Sequence, residues 1–190
     1  NHINRSDSKV PGVYSDYKLS SDGKDVESIT YDITKDQNQL NIAKAALKAN
    51  PDLYFEGFSN SAPYFMTKTG CTSGGGTVNS DGTVTSNGNL NNLNDDMYDD
   101  FAKFIADATK LFKDNGIEFK SYSPMNEPDT DYWGYGSLKQ EGCHFDPGTS
   151  QSKMITETRK ALDNAGFTDV LVAGMDETSL KKTVNNLGSL

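Results

Sequence analysis

A carboxylic acid with a side-chain amide beside it stands in the segment Ser123-Pro124-Met125-Asn126-Glu127-Pro128-Asp129. Glu127 can give or take a proton, and Asn126 offers both a hydrogen-bond donor and an acceptor. A carboxyl group held in this way is suited to general acid/base chemistry. The alternative is that Glu127 caps the following segment or pairs with a surface cation. The tripeptide Asn-Glu-Pro is too short to decide, so the elements that carry it matter.

Helical and strand patterns alternate along the chain, and the Glu127 segment directly follows one of the strands. Asn94 is predicted to cap the second helix, with Asp95 and Asp96 in its first turn, and Asn115-Gly116 to end it. The apolar stripe of that helix is Met97, Phe101, Phe104, Ala108, Leu111 and Phe112. The predicted helices cover 37–49, 94–116, 150–165 and about 179–187, and the strands cover 53–58, 119–123 and 170–173.

Strand and helix in alternation predict an α/β fold with a parallel sheet. The loops after the strands are long, the turns from helix to strand are short, and the glycine-rich loop that begins after residue 58 predicts no regular element. This asymmetry is typical of a (β/α)₈ TIM barrel, whose active face is built from the loops after the strands. Three βα units make less than half of such a barrel. We therefore expect residues 1–190 to form one partial barrel domain, truncated at both ends; a complete small doubly wound domain is the competing interpretation.

Composition excludes several classes of protein. The formal net charge is −9, with 18 Lys and Arg against 27 Asp and Glu, so no basic face is available for nucleic acid. No apolar run approaches the roughly 18 residues that a membrane span needs. No grouping of His, Cys and carboxylates has the spacing of metal ligands, so we expect no metal. The chain opens without an initiator Met or an apolar signal segment, so any secretion signal is expected upstream.

Four stretches, spread over positions 1 to 144, resemble glycoside hydrolase family 30, a family of retaining glycosidases with a (β/α)₈ catalytic barrel. The stretches are Asn1-His2-Ile3-Asn4-Arg5-Ser6-Asp7-Ser8-Lys9-Val10-Pro11-Gly12, Phe58-Ser59-Asn60-Ser61-Ala62-Pro63-Tyr64-Phe65-Met66, Ser123 to Asp129, and Gln140-Glu141-Gly142-Cys143-His144. The resemblance implies that the chain runs from after barrel strand 2 to helix 5. It also implies a secreted enzyme without a cofactor, with a carbohydrate as its partner; the Asn-, Ser-, Thr- and Gly-rich composition is associated with such proteins.

By the resemblance, Glu127 follows the fourth barrel strand and is the general acid/base, and Asn126 holds the sugar 2-hydroxyl. The second carboxylate, the nucleophile, would follow the seventh strand and so lie outside this chain. Other carboxylates remain as substitutes: Asp129, Asp131, Glu141, Asp176 and Glu177. A non-catalytic carbohydrate-binding fragment is therefore the second hypothesis.

The loop after the third barrel strand indicates the substrate. The xylanase and glucosylceramidase branches resemble Ser-Pro-Trp-Ser-Pro-Pro-x-Trp-Met here, whereas this chain has Asn60 and Phe65 at the two tryptophan positions. The sequence of this loop, including Tyr64, more closely resembles the branch of endo-β-1,6-galactanases. We therefore expect Asn60 and Tyr64 to bind substrate, with β-1,6-galactan as the first candidate and xylan as the second.

Further substrate contacts are predicted from position in the loops. Trp133, with Tyr132 and Tyr135, is predicted to stack on a sugar, or else to pack under its own loop. His144 is expected to bind substrate or orient Glu127, and a purely structural role is the alternative. Glu177 follows a strand and is expected to contact substrate or to join a polar network. The resemblance also puts His2, Arg5 and Asp7 at the rim of the site; an Arg–Asp pair that locks their loop is the alternative.

Two cysteines lie in loops that should emerge on the same face of the sheet. Cys71 follows the strand at 53–58 and Cys143 follows the strand at 119–123. Since consecutive strands of a parallel barrel are neighbours, a Cys71–Cys143 disulfide is one prediction. Two buried thiols are the equally open alternative.

Overall fold

The computed structural model describes residues 12–137 and 140–189. His2, Arg5 and Asp7, predicted at the rim, lie outside the described residues. The strands are β1 (Tyr14–Leu19), β2 (Val26–Tyr31), β3 (Glu56–Phe58), β4 (Gly76–Val78), β5 (Val84–Ser86), β6 (Ser121–Ser123) and β7 (Leu171–Val172). The α-helices are α1 (Gln37–Ala49), α2 (Tyr98–Asp114), α3 (Ser150–Asn164) and α4 (Leu180–Leu187), and 3-10 helices cover Ile33–Asp36 and Tyr64–Met66.

Three short parallel strands carry the Glu127 segment. Their order is β3–β6–β7, and Tyr122 of β6 lies in register between Gly57 of β3 and Val172 of β7. Helix α2 connects β3 to β6, and α3 connects β6 to β7. The predicted alternation of strand and helix and the parallel pairing are confirmed. The strands are shorter than the runs that predicted them, because only the last three residues of the first two runs and the middle two of the third form strand pairs.

The two faces of this sheet have different surroundings. Tyr122 is buried in the core with side chains of α2 and α3, and Val172 packs against that core. A Cβ on Gly57 would lie 2.3 Å from the Tyr122 ring, so only glycine fits on this face of β3. At the alternate positions, Phe58 is 44% exposed and Leu171 is 65% exposed. The helices therefore cover one face of the sheet, whereas on the other face the outer strands β3 and β7 expose Phe58 and Leu171.

Helix α2 supplies much of the core. Phe101 and Ile105 are completely buried, and α2 packs along α3, whose Met154 and Leu162 are completely buried as well. Burial of this much aliphatic and aromatic surface is the main term that stabilises the fold. The apolar stripe predicted for this helix faces the core.

The prediction that Asn94 caps α2 is wrong, because the helix begins at Tyr98. Asn94 instead opens a turn: its carbonyl accepts from the Met97 N–H at 3.1 Å, and its own N–H donates to the Met66 carbonyl at 3.0 Å. The side-chain amide of Asn94 lies 3.6 Å from Met97 Sδ rather than on a helix N–H. The first turn of the helix contains Asp99 and Asp100 in place of the predicted pair.

Glycine ends α2 and α3 in the same way. Gly116 has φ 89°, its N–H donates to Lys113 O, and the N–H of Ile117 donates to Phe112 O at 3.0 Å. Gly166 has φ 83°, and Phe167 repeats the second bond to Leu162 O at 2.8 Å. Both are Schellman motifs, which satisfy the last carbonyls of the helix and turn the chain sharply. The predicted short turns from helix to strand follow from these caps.

Two antiparallel hairpins were not predicted. In the first, β1 pairs with β2, and Tyr17 of β1 stacks on Phe65 with ring centroids 3.9 Å apart. In the second, β4 pairs with β5 inside the glycine-rich loop. The prediction of no regular element there is wrong, because glycine permits close backbone approach within the hairpin: a Cβ on Gly76 of β4 would lie 2.6 Å from the carbonyl oxygen of Thr85 on β5.

In the part of the chain that the structure describes, each helix is too short or too polar to cross a bilayer.

Candidate active site

Glu127 lies in a tight turn just beyond the carboxyl end of β6. All three residues of β6 are buried, whereas Asn126 and Glu127 are half-buried at the edge of the sheet. Glu127 has φ 43°, in the left-handed region that residues with a side chain adopt only at a free-energy cost. Such strain persists where surrounding contacts fix the backbone, and it is concentrated at functional sites.

Both backbone groups of Glu127 are held by hydrogen bonds. Its N–H donates to the carbonyl of Asp176, in the loop after β7, at 2.8 Å. Its carbonyl accepts from Thr130 Oγ1 at 3.0 Å and from Trp133 Nε1 at 2.9 Å. The turn is therefore anchored to the neighbouring strand's loop on one side and to its own loop on the other.

The hydroxyl of Tyr132 donates to Oε2 of Glu127. Burial, followed by this hydrogen bond and the carboxylate charge, raises the pKa of Tyr132 to about 12, so the phenol stays a donor at neutral pH. The Tyr132 ring is 48% exposed. An accessible aromatic ring thus lies directly beside the carboxyl group of Glu127.

The surroundings of Glu127 are acidic. Burial raises the pKa of Asp176 above its usual range, and the negative charges of Glu56, Glu127 and Glu177 raise it further. Glu56 belongs to the neighbouring strand β3, where its Oε2 accepts from Ser121 Oγ at 2.5 Å. Burial and the neighbouring negative charges therefore both favour the protonated form of the Asp176 carboxyl group.

The structure buries Trp133, which was predicted to stack on a sugar. Its side chain is 2% exposed, and Cβ on Gly142 would lie 2.2 Å from its ring. Its Nε1–H donates to the Glu127 carbonyl, so the indole packs under its own loop, which was the stated alternative. Tyr132, whose ring meets the Trp133 ring edge-on at 4.7 Å, is the accessible aromatic residue instead.

His144 is also buried, and both of its ring nitrogens are engaged by the protein. Nδ1 lies 2.7 Å from the Thr130 carbonyl oxygen, and Nε2 lies 3.1 Å from Asp146 Oδ1. The ring links two parts of the long loop after β6. These contacts support the structural alternative for His144, and its contact with substrate stays a prediction.

Glu177 has protein donors on both of its oxygens. Oε2 accepts from the Asp129 N–H at 3.1 Å, and Oε1 accepts from Gln151 Nε2 at 3.0 Å and from Asn186 Nδ2 at 3.2 Å. Glu177 thus belongs to a polar network, which was one of the two expectations, and its contact with substrate stays a prediction.

Asn60 and Tyr64 lie in the loop after β3. The Ser59 N–H donates to the Ser123 carbonyl at 2.9 Å, so the chain of Asn60 leaves the sheet at the same edge as Asn126. Tyr64 is half-buried; its hydroxyl donates to Tyr17 at 3.3 Å, and burial raises its pKa to about 12. The structure brings Asn60 to the Glu127 edge and packs Tyr64 against the β1–β2 hairpin.

Cys71 and Cys143 are both buried thiols rather than a disulfide. Cys71 Sγ lies 3.0 Å from Ser73 Oγ, whereas Cys143 Sγ donates to Asn91 Oδ1 at 3.3 Å. Burial raises the pKa of Cys143 to about 11. Because the sulfurs interact with different partners, the disulfide prediction is wrong in this structure and the alternative of two thiols holds.

Alkylation of the denatured, non-reduced protein tests this assignment. We expect the peptides that contain Cys71 and Cys143 each to gain one alkyl group, because neither sulfur is in a disulfide. A sample reduced before alkylation is the control and should give the same masses. A cross-linked peptide pair in the non-reduced sample would contradict the assignment.

Among residues 12–137 and 140–189, no three His, Cys, Asp or Glu side chains are grouped as metal ligands would be. No sequence pattern identifies Gln151 and Asn186 as site residues, because they reach the site from helices far along the chain. Tyr132 lies only five residues after Glu127 in the sequence, and this spacing indicates a site residue in its own right as well as a companion of Trp133.

The fold and the site define a class of protein: an α/β protein whose acidic residues gather at the carboxyl ends of parallel strands. The model of O-glycosyl hydrolase family 30 matches residues 16–174. The chain therefore belongs to this family.

Two curated relatives and one solved structure are similar to this chain. An endo-beta-1,6-galactanase of Hypocrea rufa is 31% identical over 90% of this chain and 32% of its own length. An exo-beta-1,6-galactobiohydrolase of Bifidobacterium longum subsp. longum is 29% identical over 68% of this chain and 9% of its own length. A conserved exported protein from Bacteroides fragilis has a TM-score of 0.65 and 30% identity, over 86% of this chain and 29% of that one. The chain thus spans about a third or less of each of these proteins.

Proposed function

We propose that this chain supplies the acid/base side of the active site of a retaining glycosidase that cleaves β-1,6-linked galactan. The observation that carries the proposal is Glu127, a carboxyl group in a strained, anchored turn at the end of a parallel strand, with a tyrosine hydroxyl on its Oε2. A glycosidic oxygen is a poor leaving group, so a positioned acid must protonate it as the bond to the anomeric carbon breaks.

In the first step, the Glu127 carboxyl proton passes to the glycosidic oxygen. The bond from that oxygen to the anomeric carbon breaks, and a bond from a second carboxylate to the same carbon forms. In the second step, the Glu127 carboxylate takes a proton from water while the water oxygen displaces the second carboxylate. Asn126, next to Glu127 at the same edge, is proposed to hold the 2-hydroxyl of the reacting sugar, a contact that strengthens in the transition state.

We propose that the second carboxylate comes from polypeptide outside this chain, as part of a complete (β/α)₈ barrel. Three observations support this architecture. The parallel strands follow the chain order, helices cover one face of the sheet, and the outer strands expose Phe58 and Leu171 on the other face. Of the carboxylates within the chain, Asp129 is already paired with Asn186 Nδ2 at 2.9 Å and with Lys182 Nζ at 3.5 Å.

Galactan is the preferred substrate for two reasons. Both curated relatives carry names that specify β-1,6-linked galactose. At the two positions where the xylanase and glucosylceramidase branches have tryptophan, this chain has Asn60 and Phe65, and Phe65 is buried against Tyr17. Since the polymer is too large to enter a cell, we further propose that the enzyme acts outside it.

A hydrolysis screen of the enzyme that contains this chain tests the function. We expect release of β-1,6-linked galactose oligosaccharides from β-1,6-galactan and little product from xylan or β-glucosides. Xylan as the preferred substrate would overturn the galactan assignment. Binding of galactan without any release of sugar would favour the non-catalytic hypothesis.

Tyr132 gives a further prediction about substrate binding. If the exposed ring stacks on a sugar beside Glu127, Tyr132→Ala should raise KM about 3- to 10-fold, as expected for loss of an aromatic contact worth about 0.5–1.5 kcal/mol. Tyr132→Phe keeps the ring and should keep KM, while kcat falls because the carboxyl group of Glu127 loses its hydroxyl partner.

The matched control is Tyr54→Ala, because Tyr54 is 61% exposed just ahead of β3, at the other end of the strand. Steady-state kinetics on galactan oligosaccharides measure both constants. An unchanged KM for Tyr132→Ala would remove the ring from the substrate-binding surface.

A further inference from the structure

We propose that Glu177 is a positioning residue that fixes the turn of Glu127 so that the acid points at the glycosidic oxygen. The inference rests on the proposed function of Glu127. It goes beyond that function, because Glu177 lies 50 residues further along the chain and acts through Glu127 rather than on the substrate.

The loop after β7 binds the Glu127 turn at two consecutive points. The carbonyl of Asp176 accepts the N–H of Glu127 at 2.8 Å, and the carboxylate of Glu177 accepts the N–H of Asp129 at 3.1 Å. Pro128, between the two donors, has no N–H to offer. Every backbone donor from residue 127 to residue 129 is thus used to bind the same two residues of the neighbouring loop.

The carboxylate of Glu177 is in turn fixed from two helices. Gln151, at the start of α3 and completely buried, donates Nε2 to Oε1 at 3.0 Å. Asn186, on α4, donates Nδ2 to the same oxygen at 3.2 Å and also to Asp129 Oδ2 at 2.9 Å. Glu177 therefore connects the turn to rigid elements, and Lys182 of α4 adds an ion pair to Asp129 at 3.5 Å.

The chemistry of this position favours a carboxylate over an amide. Three N–H donors converge on Glu177, and an ionised carboxylate only accepts. In Glu177→Gln, the new NH₂ group would face at least one of these donors, so a hydrogen bond would be lost while size and shape are kept. Glu127, with its left-handed backbone, depends on such contacts to stay in place.

The test compares Glu177→Gln with Glu157→Gln in the enzyme that contains this chain. Glu157 is a matched control, because its carboxylate pairs only with Lys160 on the outside of α3 among the described residues. Each variant is assayed on β-1,6-galactan and on an aryl glycoside of the same sugar, whose activated leaving group needs little protonation.

We expect Glu177→Gln to lower kcat on galactan by about 10- to 100-fold, the effect of displacing a catalytic group by a fraction of an ångström to 1 Å. KM on galactan should stay within about 2-fold, and kcat/KM on the aryl glycoside, which reports its first step, should stay close to the wild-type value. Glu157→Gln should match the wild type on both substrates. This pattern is that of a misplaced acid, and loss of folded protein alone would not produce it.

Two results would overturn the proposal: a raised KM with kcat kept, which marks a substrate contact, or an equal loss of kcat/KM on both substrates, which marks a general structural role. If Glu177→Gln does not fold, Asn186→Ala removes a single donor from α4 and should give a smaller change with the same selectivity. Should Glu127→Gln keep wild-type activity on galactan, the proposed function fails whatever the result at Glu177.

Discussion

Replacing Glu127 by Gln is expected to lower kcat on β-1,6-galactan by about 10²- to 10⁴-fold, the usual contribution of a general acid/base. The amide keeps the shape of the side chain and can still accept from Tyr132, but it has no acidic proton for the glycosidic oxygen. An aryl glycoside with an activated leaving group should lose far less in its first step, because that bond breaks with little protonation.

Steady-state kinetics on the two substrates measure this difference. Glu118→Gln is the matched control, because Glu118 is an exposed residue ahead of β6, paired with Lys113 at 3.6 Å, at the opposite end of the strand. A galactan rate for Glu127→Gln near that of the control would take Glu127 out of the acid/base role.

The second large effect is expected on stability. Trp133→Ala should lower the free energy of unfolding by about 3–5 kcal/mol, the usual cost of removing a buried aromatic side chain. The mutation opens a cavity against Gly142 and deletes the Nε1 hydrogen bond to the Glu127 carbonyl. Trp133→Phe keeps a ring in the cavity but not the donor, so its cost should be smaller.

Denaturant unfolding of the three proteins provides the measurement, and Tyr54→Ala is the control for loss of an exposed aromatic side chain. A loss below about 1 kcal/mol for Trp133→Ala, together with a raised KM, would return the indole to the sugar-binding surface. That outcome would also contradict the burial described for this side chain.

The parts of the fold that sequence predicted are those with strong local patterns. The apolar stripe of α2 and the glycines at positions 116 and 166 fix a helix and its end within a few residues of chain. The position of Glu127 after β6 followed from the same local reasoning. The β1–β2 hairpin was missed because register shifts between Tyr14 and Asp16 and between Lys18 and Leu19 interrupt the regular alternation of apolar and polar residues.

Sequence reasoning predicted the position of Glu127 but not the side chains that hold its turn in place. Trp133 and His144 are residue types that bind sugars at a surface or pack within a loop, and only tertiary contacts distinguish the two. Glu177 accepts hydrogen bonds from Gln151 and Asn186, which lie on two different helices. No spacing along the chain indicates that these three residues meet. Long-range hydrogen bonds of this kind depend on how the helices pack, which local propensity does not determine.

The two Schellman caps make the turns from helix to strand less tolerant of insertions than the loops that follow the strands. The caps at Gly116 and Gly166 fix where the chain leaves α2 and α3 and thereby set the register of the strand that follows. An insertion at either turn would shift β6 or β7 along the sheet. The loops after the strands, 59–97 and 124–149, lie at the other end of the sheet, and their length does not set the register of a strand. One of them already contains the β4–β5 hairpin. Changes of specificity can therefore accumulate there by exchange of whole loops, while the sheet that holds Glu127 stays as it is.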